Sequence, residues 1–263
     1  MTVRFEKYHG NGNDFVIIDD REGLFHASEE IVSHLCDRRF GIGADGLMLV
    51  KDSSEADFEM LYFNSDGKPG TMCGNGGRCI AAYAYAKAIS SKRMTFNAVD
   101  GLHQAVVNSE EIKNTLFDVS LQMQPVIGVM EKENSYFLDT GSPHYVEFVA
   151  CADSTDVFEK GKQIRYSDDF KPEGTNVNFV QIDEDSLYVR TYERGVEDET
   201  LSCGTGVTAS AMAAFLETGI EEWRIKTRGG DFKVTFSWDG SRFTDVWLRG
   251  PARLVYKGEI EIE

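Results

Sequence analysis

The sequence predicts an α/β protein assembled from two related lobes. Three observations carry that expectation. Strand-like and helix-like stretches alternate along the chain, each half holds one long Ala-rich segment, and the two Ala-rich segments align. Residues 73–84 read CGNGGRCIAAYA and residues 203–214 read CGTGVTASAMAA, so Cys, Gly, Gly and two alanines coincide at constant spacing. Upstream, alternating Phe58, Met60, Tyr62 and Asn64 fall opposite Tyr188, Arg190, Tyr192 and Arg194. Each half therefore runs strand, polar loop, Cys-Gly-x-Gly, helix. A composite pattern at a fixed offset marks an internal repeat.

In chain order, MTVRFEKYHG reads as strand, and so do Phe15–Asp19, Leu47–Val50 and Phe58–Asn64, all rich in β-branched and aromatic residues. Glu29–Arg39 reads as a helix with Ser28 as its N-cap. Met94–Asn97, Gln104–Asn108 and Phe117–Met123 add strands. The second half repeats the style with Tyr145–Val149, Asn178–Ile182, Leu187–Tyr192, Lys233–Trp238 and Asp245–Leu248.

Composition narrows the function. With 27 Lys+Arg against 44 Asp+Glu, the net charge is −17. Such a surface repels nucleic-acid backbones and anionic lipid, so a small-molecule ligand is the expected partner. No apolar run is long enough for a membrane-spanning helix, and the N-terminus lacks a signal core, which predicts a cytoplasmic protein. The chain's 263 residues are too many for its 5 cysteines to form a disulfide framework. There is no C-x-x-C, and His9, His26, His34, His103 and His144 are scattered, which argues against a metal site.

A Cys-Gly-x-Gly that opens a helix has definite chemistry. Glycines leave the first turn uncovered, and the first N–H groups of a helix have no internal acceptors. With the helix dipole they form a place for a carboxylate and favour a thiolate. Cys73 and Cys203 each occupy that place. Cys36 and Cys79 read as small core residues, and Cys151 belongs to no motif. A hydrolase needs one nucleophile, and a disulfide exchanger keeps its pair close in sequence. Two matched thiols from two lobes suit inversion at a carbon: a thiolate removes a proton from one face and a thiol returns one to the other. Elsewhere, His9–Phe15 lacks the spacing of a dinucleotide loop, and Gly41–Gly46 reads as a turn before a strand. His144 in Gly-Ser-Pro-His follows a sharp turn, and Glu193-Arg194 closes a strand.

These residues resemble the diaminopimelate epimerase family. HGNGNDF, NSDG, MCGNGGRC, the G-x-P-H turn, PEGTN, ERG and SCGTG stand in family order, over about residues 3–256. The resemblance implies a mostly antiparallel, barrel-like sheet around a central helix in each lobe, with the active site in the cleft between. It implies a cofactor-independent epimerase, a homodimer, interconverting LL- and meso-2,6-diaminopimelate for lysine and peptidoglycan precursors. Cys73 and Cys203 match the two bases, and His144 and Glu193 match residues assisting Cys73 and Cys203 respectively. Gly74, Asn75, Gly204 and Thr205 match backbone donors to the reacting carboxylate. Asn13, Asn64, Asn176 and Arg194, with Glu193, match substrate-binding positions.

Three departures stand out. Gly46 stands where some members carry a Gln, Ser142 replaces the commoner Asn of the G-x-P-H turn, and the acidic run Glu197-Asp198-Glu199 lies in a stretch before Cys203 that is one residue longer than usual. The expected lobes are residues 1–123, joined by the tail 253–263, and residues 124–252. A racemase or isomerase of another amino acid on the same scaffold is the alternative. A thiol-redox or binding protein is a further one, opposed by the missing C-x-x-C.

Overall fold

In the computed structural model, which describes residues 1–109 and 115–262, β1 (Thr2–Gly10) turns back through Asn11 and Gly12 into β2 (Asn13–Asp19). Both turn residues have positive φ, 52° and 89°. An Asn-Gly turn of this kind suits the right-handed twist of the strands it joins. The glycine-rich run is thus a hairpin, and it makes Asn13 the first residue of β2. Glu263 and residues 110–114, parts of the expected tail and first lobe, lie outside the described residues.

By its contacts the chain divides into two units, Met1–Leu121 with Gly250–Glu263, and Gln122–Arg249. In the first, β2 is followed by α1 (Glu29–Cys36), β3 (Gly46–Lys51), β4 (Phe58–Asn64), α2 (Gly74–Ala86), β5 (Arg93–Ala98), β6 (Gly101–Val107) and β7 (Leu116–Gln122). Neighbouring strands pair in chain order, with β2–β3 and β4–β5 parallel and the rest antiparallel. The chain's last strand (Arg242–Glu261) pairs with both β7 and β1 through its later residues, closing a barrel of eight strands. Closure leaves no unpaired edge.

α2 packs on β1, β2, β3 and β6, and its residues from Gly74 to Ala84 are all buried. A helix surrounded by strands is buried on every side, which is why it is Ala-rich instead of amphipathic, and its buried Arg78 and Asn75 are hydrogen-bonded. α1 is amphipathic. Its Val32, Leu35 and Cys36 pack into a cluster with Val16, Ile18, Leu47 and Leu49, each fully buried aliphatic side chain contributing about 2 kcal/mol. Ser28 caps it, its Oγ accepting from the Ile31 N–H at 3.2 Å.

The second unit contains β8 (Val126–Ile127), β9 (Met130–Lys132), β10 (Ser135–Asp139), β11 (Pro143–Phe148), α3 (Val157–Arg165), β12 (Asn176–Ile182), β13 (Ser186–Glu193), β14 (Asp198–Thr200), α4 (Gly204–Thr218), β15 (Glu222–Thr227) and β16 (Gly230–Trp238). The early residues of the last strand, now β17, pair with β16 and β8. From β10 to β16 the ladder repeats the order of the first unit: β11–β12 and β13–β15 are parallel, their neighbours antiparallel. α4 occupies the place of α2, buried from Val207 to Ala214 against β10–β13, β15 and β16. It ends on Gly219 with φ 75°, in the left-handed conformation usual for a helix stop. Among the described residues no helix is long and apolar enough to cross a membrane, and no cluster of His, Cys, Asp and Glu could hold a metal ion.

Some expected boundaries need correction. α1 stops at Cys36, not Arg39, because Asp37 caps it and its Oδ1 accepts from the Arg39 and Phe40 N–H groups, turning the chain away. Asp245–Leu248 is a fragment of the twenty-residue β17. The ladder continues through Gly250-Pro251, Pro251 lying opposite Asp118 on β7. Phe58–Asn64 holds at both ends, and the other expected strands shift by one to three residues at one or both ends.

Candidate active site

Each Cys-Gly-x-Gly folds as the repeat predicts: Cys73 is the N-cap of α2 and Cys203 that of α4, both in extended conformation. Each cap's carbonyl accepts the first helical bond, from Gly77 at 2.8 Å and Val207 at 2.9 Å. Neither cysteine spends its side chain on capping. Gly74, Asn75, Gly204 and Thr205 thus lie in the first turns, where backbone N–H groups are not used by the helix. Cys73 is half-buried, and Cys203 is 8% exposed.

At the first turn, side-chain amides link the cysteine to charged groups. The Cys73 thiol donates to Asn13 Oδ1 at 3.4 Å, and Asn75 Nδ2 donates to the same oxygen at 3.3 Å. Asn13 Nδ2 donates to Asp45 Oδ2 at 2.7 Å. Behind Asn75, the fully buried Arg78 donates through Nη2 to Asn75 Oδ1 (2.9 Å) and Asn11 Oδ1 (2.8 Å), and through Nη1 to the Gly74 carbonyl (3.1 Å). Burial pulls the guanidinium down to about 10, which leaves it charged at neutral pH. On the outer side, Arg38 grips Asp14 with two bonds and reaches Asp45, while Lys7 pairs with Asp14 at 2.8 Å. Burial works to raise the Asp14 carboxyl, but Arg38 and Lys7 outweigh it and hold it well below the usual range. Asn64 closes β4 opposite Gly46, the residue after Asp45.

The second turn is organised by a histidine. His144 is fully buried on β11, and its Nε2 lies 2.9 Å from Thr205 Oγ1 and 3.0 Å from Ser142 Oγ. Thr205 Oγ1 is in turn 3.4 Å from Cys203 Sγ. Asn178 Nδ2 donates to the Tyr145 carbonyl at 2.9 Å and to His144 Nδ1 at 3.1 Å. A carbonyl only accepts, so the amide orientation is set, Nδ1 is an acceptor, and the imidazole proton sits on Nε2. Burial first, then the Arg194 charge, lower His144 to about 3, so the ring is neutral at physiological pH. Asn176 stitches two edges together: Nδ2 donates to the Pro143 carbonyl and Ser142 Oγ, and Oδ1 accepts from the Arg194 N–H at 2.9 Å. Glu193 ends β13, half-buried.

The first unit thus gathers Asn13, Cys73, Gly74 and Asn75, with Asn64 on the strand beside Asp45. The second gathers His144, Asn176, Arg194, Cys203, Gly204 and Thr205, with Glu193 preceding Arg194. Sequence reasoning missed the supports. Asp45 and Arg38 were not singled out, and Arg78 stood within MCGNGGRC without a role. Asn178 had a signal, being polar inside the apolar run Val177–Val180.

Comparison with known proteins follows this geometry. Residues 5–126 and 136–255 match the diaminopimelate epimerase family. A diaminopimelate epimerase of Flavobacterium psychrophilum is 47% identical over 262 residues, covering 98% of this chain and 100% of that protein. One from Chlorobaculum tepidum is 43% identical, covering 96% and 99%. The chain belongs to the diaminopimelate epimerase family. Solved structures share the fold at low identity. A Bacillus anthracis phenazine biosynthesis protein superposes with TM-score 0.75 at 16% identity, covering 100% of both chains. An Agrobacterium vitis hydroxyproline epimerase gives 0.72 at 14%, covering 98% and 91%.

Within the family pattern the three departures have local explanations. Gly46 has no room for a side chain, since a Cβ would lie 2.5 Å from Tyr62 Cε2 and 2.6 Å from the Phe63 carbonyl oxygen. Ser142 joins the histidine network. The acidic run is structural: Glu197 bonds Arg165, Tyr166 and the Gly195 N–H, and Glu199 pairs with Arg190 and Arg228. With φ 60°, Glu197 itself makes the turn that leads into β14.

Proposed function

We propose that this chain interconverts LL- and meso-2,6-diaminopimelate, with Cys73 and Cys203 as the two proton carriers acting from opposite faces of the α-carbon in the cleft between the lobes. The observation that carries the reading is the duplicated N-cap cysteine. Two units with the same strand order each offer a thiol and an open helix N-terminus. One sulfur takes the α-proton as thiolate; the electron pair of that C–H bond delocalises into the carboxylate; the other sulfur delivers a proton to the opposite face. An amino-acid α-carbon is a very weak acid, so the developing charge must be met by fixed donors. The backbone N–H groups of Gly74, Asn75, Gly204 and Thr205 supply them.

Recognition of the far amino-acid end falls to Asn13, Asn64, Asn176, Glu193 and Arg194. The Arg194 guanidinium is suited to a carboxylate because its fork matches both oxygens. Binding energy collected there positions the reacting carbon between the thiols. His144 and Glu193, matched by the resemblance to Cys73 and Cys203 respectively, assist the two sulfurs, and within its own unit His144 also reaches Cys203 through Thr205. The chemistry needs no cofactor. The same reading places the enzyme in the cytoplasm, as a homodimer, supplying lysine and peptidoglycan precursors.

The test is solvent-proton exchange at the α-carbon in heavy water together with turnover of diaminopimelate. Cys73→Ala and Cys203→Ala should each abolish epimerisation. Full turnover by either variant overturns the two-thiol scheme, and turnover of proline or hydroxyproline instead of diaminopimelate overturns the substrate.

A further inference from the structure

The two cysteine turns repeat in backbone, but their hydrogen-bond polarity differs. At the first turn the orientation of both amides is dictated by charged ends. Arg78 can only donate, so Asn75 must turn its oxygen toward it and its Nδ2 toward Asn13. Asp45 as a carboxylate can only accept, so Asn13 must turn Nδ2 toward it and its oxygen inward. The group presented to Cys73 is therefore an acceptor, which is matched by S–H and opposed by S⁻. At the second turn the direction reverses. Tyr145's carbonyl orients Asn178, Asn178 makes His144 Nδ1 an acceptor, and Nε2–H then donates to Thr205 Oγ1. Ser142 Oγ accepts from Asn176 Nδ2 and faces a protonated Nε2, so its own proton goes to Thr205 Oγ1 at 3.2 Å. The Thr205 hydroxyl, accepting from both, keeps its own proton to give to Cys203 Sγ.

We propose that the turns are polarised in opposite senses, Asn13 selecting the protonated thiol at Cys73 and Thr205 selecting the thiolate at Cys203. Helix dipoles act on both sulfurs alike, and the side-chain relays act on them in opposite senses. Asp45, directly, and Arg78, by way of Asn75, are then positioning residues that act through Asn13. This rests on the two-thiol reading, which it deepens by naming the base of the resting enzyme. The Cys203 thiolate takes the α-proton, and the pair from the broken C–H bond stays on the substrate. The Cys73 S–H proton then forms the new C–H bond with that pair. Nothing is oxidised or reduced. Turnover ends with Cys203 as thiol and Cys73 as thiolate, so one proton must pass from Cys203 to Cys73 before the next turnover in that direction.

The ionisable groups around Cys73 in its own unit are Arg78 and Cys79 on α2, Asp14 on β2, Lys7 on β1, and the loop residues Arg38 and Asp45. Toward the N-terminus of α4, the elements packed against it bring His144 on β11 and the Glu193-Arg194 pair closing β13, the Arg194 charge bearing on His144. The test reads each thiol separately. The substrate-free enzyme is alkylated with iodoacetamide across a pH series, and the labelled Cys73 and Cys203 peptides are resolved by mass spectrometry. In the unmutated enzyme Cys203 is expected to titrate below Cys73 by about one pH unit or more.

Asp45→Ala releases the Asn13 amide and lowers the Cys73 midpoint, leaving Cys203 in place. Asp45 is half-exposed, so about 0.5 M salt screens its plain charge effect and leaves the amide orientation as the cause. Thr205→Val raises the Cys203 midpoint, and Thr205→Ser restores it. A merely structural disturbance changes the labelling rate but not these midpoints. Cys73 titrating at or below Cys203 in the unmutated enzyme overturns the proposal, and so does an Asp45→Ala shift that disappears in salt. Because no substrate is present, failure of the diaminopimelate assignment leaves this result unchanged.

Discussion

Gly76 and Gly206 are the same letter of the repeated motif, yet the structure gives them different tolerances. A Cβ on Gly206 would lie 2.4 Å from Asn178 Oδ1 and 3.3 Å from both Cys203 Cβ and His144 Cε1. Asn178 cannot retreat: it is fully buried, its Oδ1 accepts from Thr191 at 2.9 Å, and its Nδ2 is held by Tyr145 and His144. Overpacking costs about 1–3 kcal/mol, and a broken buried hydrogen bond adds about 1–3 kcal/mol. At Gly76 the nearest atom is the Met48 sulfur at 3.3 Å, then Cys73 Cβ and Phe15 Cζ at 3.6 Å. A thioether gives way easily, and alanine recovers up to about 1 kcal/mol of helix propensity. With the same propensity gain set against the two losses, Gly206→Ala should lose about 1–5 kcal/mol in urea unfolding, while Gly76→Ala stays within about 1 kcal/mol of the parent. Equal losses at the two positions, or a larger one at Gly76, would refute this account of why the glycines are there.

Further predictions concern charge. His144 has a folded-state value of about 3, below the 6.5 of the free side chain, so the unfolded chain binds its proton first. Stability is accordingly complete above about pH 6.5 and falls as pH drops toward 3, by at most about 1.4 kcal/mol per pH unit from this group. His144→Phe should remove that part of the slope in denaturant titrations, and an unchanged slope counts against a buried neutral ring. Asp14 works with the opposite charge: its carboxyl is held low, so its stabilising contribution is present above the ordinary carboxylate range and is lost on acidification. Arg38→Ala should raise the Asp14 value, seen by NMR, and move acid unfolding to higher pH; an unmoved Asp14 resonance contradicts the assignment. Among the thiols outside the motif, burial pushes Cys36 up to about 11 and Cys79 further, whereas Ser154 lowers the exposed Cys151. Mild alkylation of the native protein should label Cys151 and spare Cys36 and Cys79, and early labelling of Cys79 would contradict its burial.

The duplicated unit was legible from residue order because its cues are local. Cys-Gly-x-Gly states where a helix begins and leaves its N-terminus bare; Ala-rich runs announce a helix with no solvent face; Ser28 announces a cap. The candidate residues followed from the same short motifs. Other features depend on partners distant in the chain. The strand read at Asp245–Leu248 runs on through Pro251 because β7 lies alongside it, and the resulting ladder carries β17 onward to Glu261. Asp45, Arg78 and Asn178 gain meaning only when folding sets them beside Asn13, Asn75 and His144. Hydrogen-bond direction is a property of contacts between residues that sequence separates, so it is the folded chain that turns an acceptor toward one sulfur and a hydroxyl toward the other.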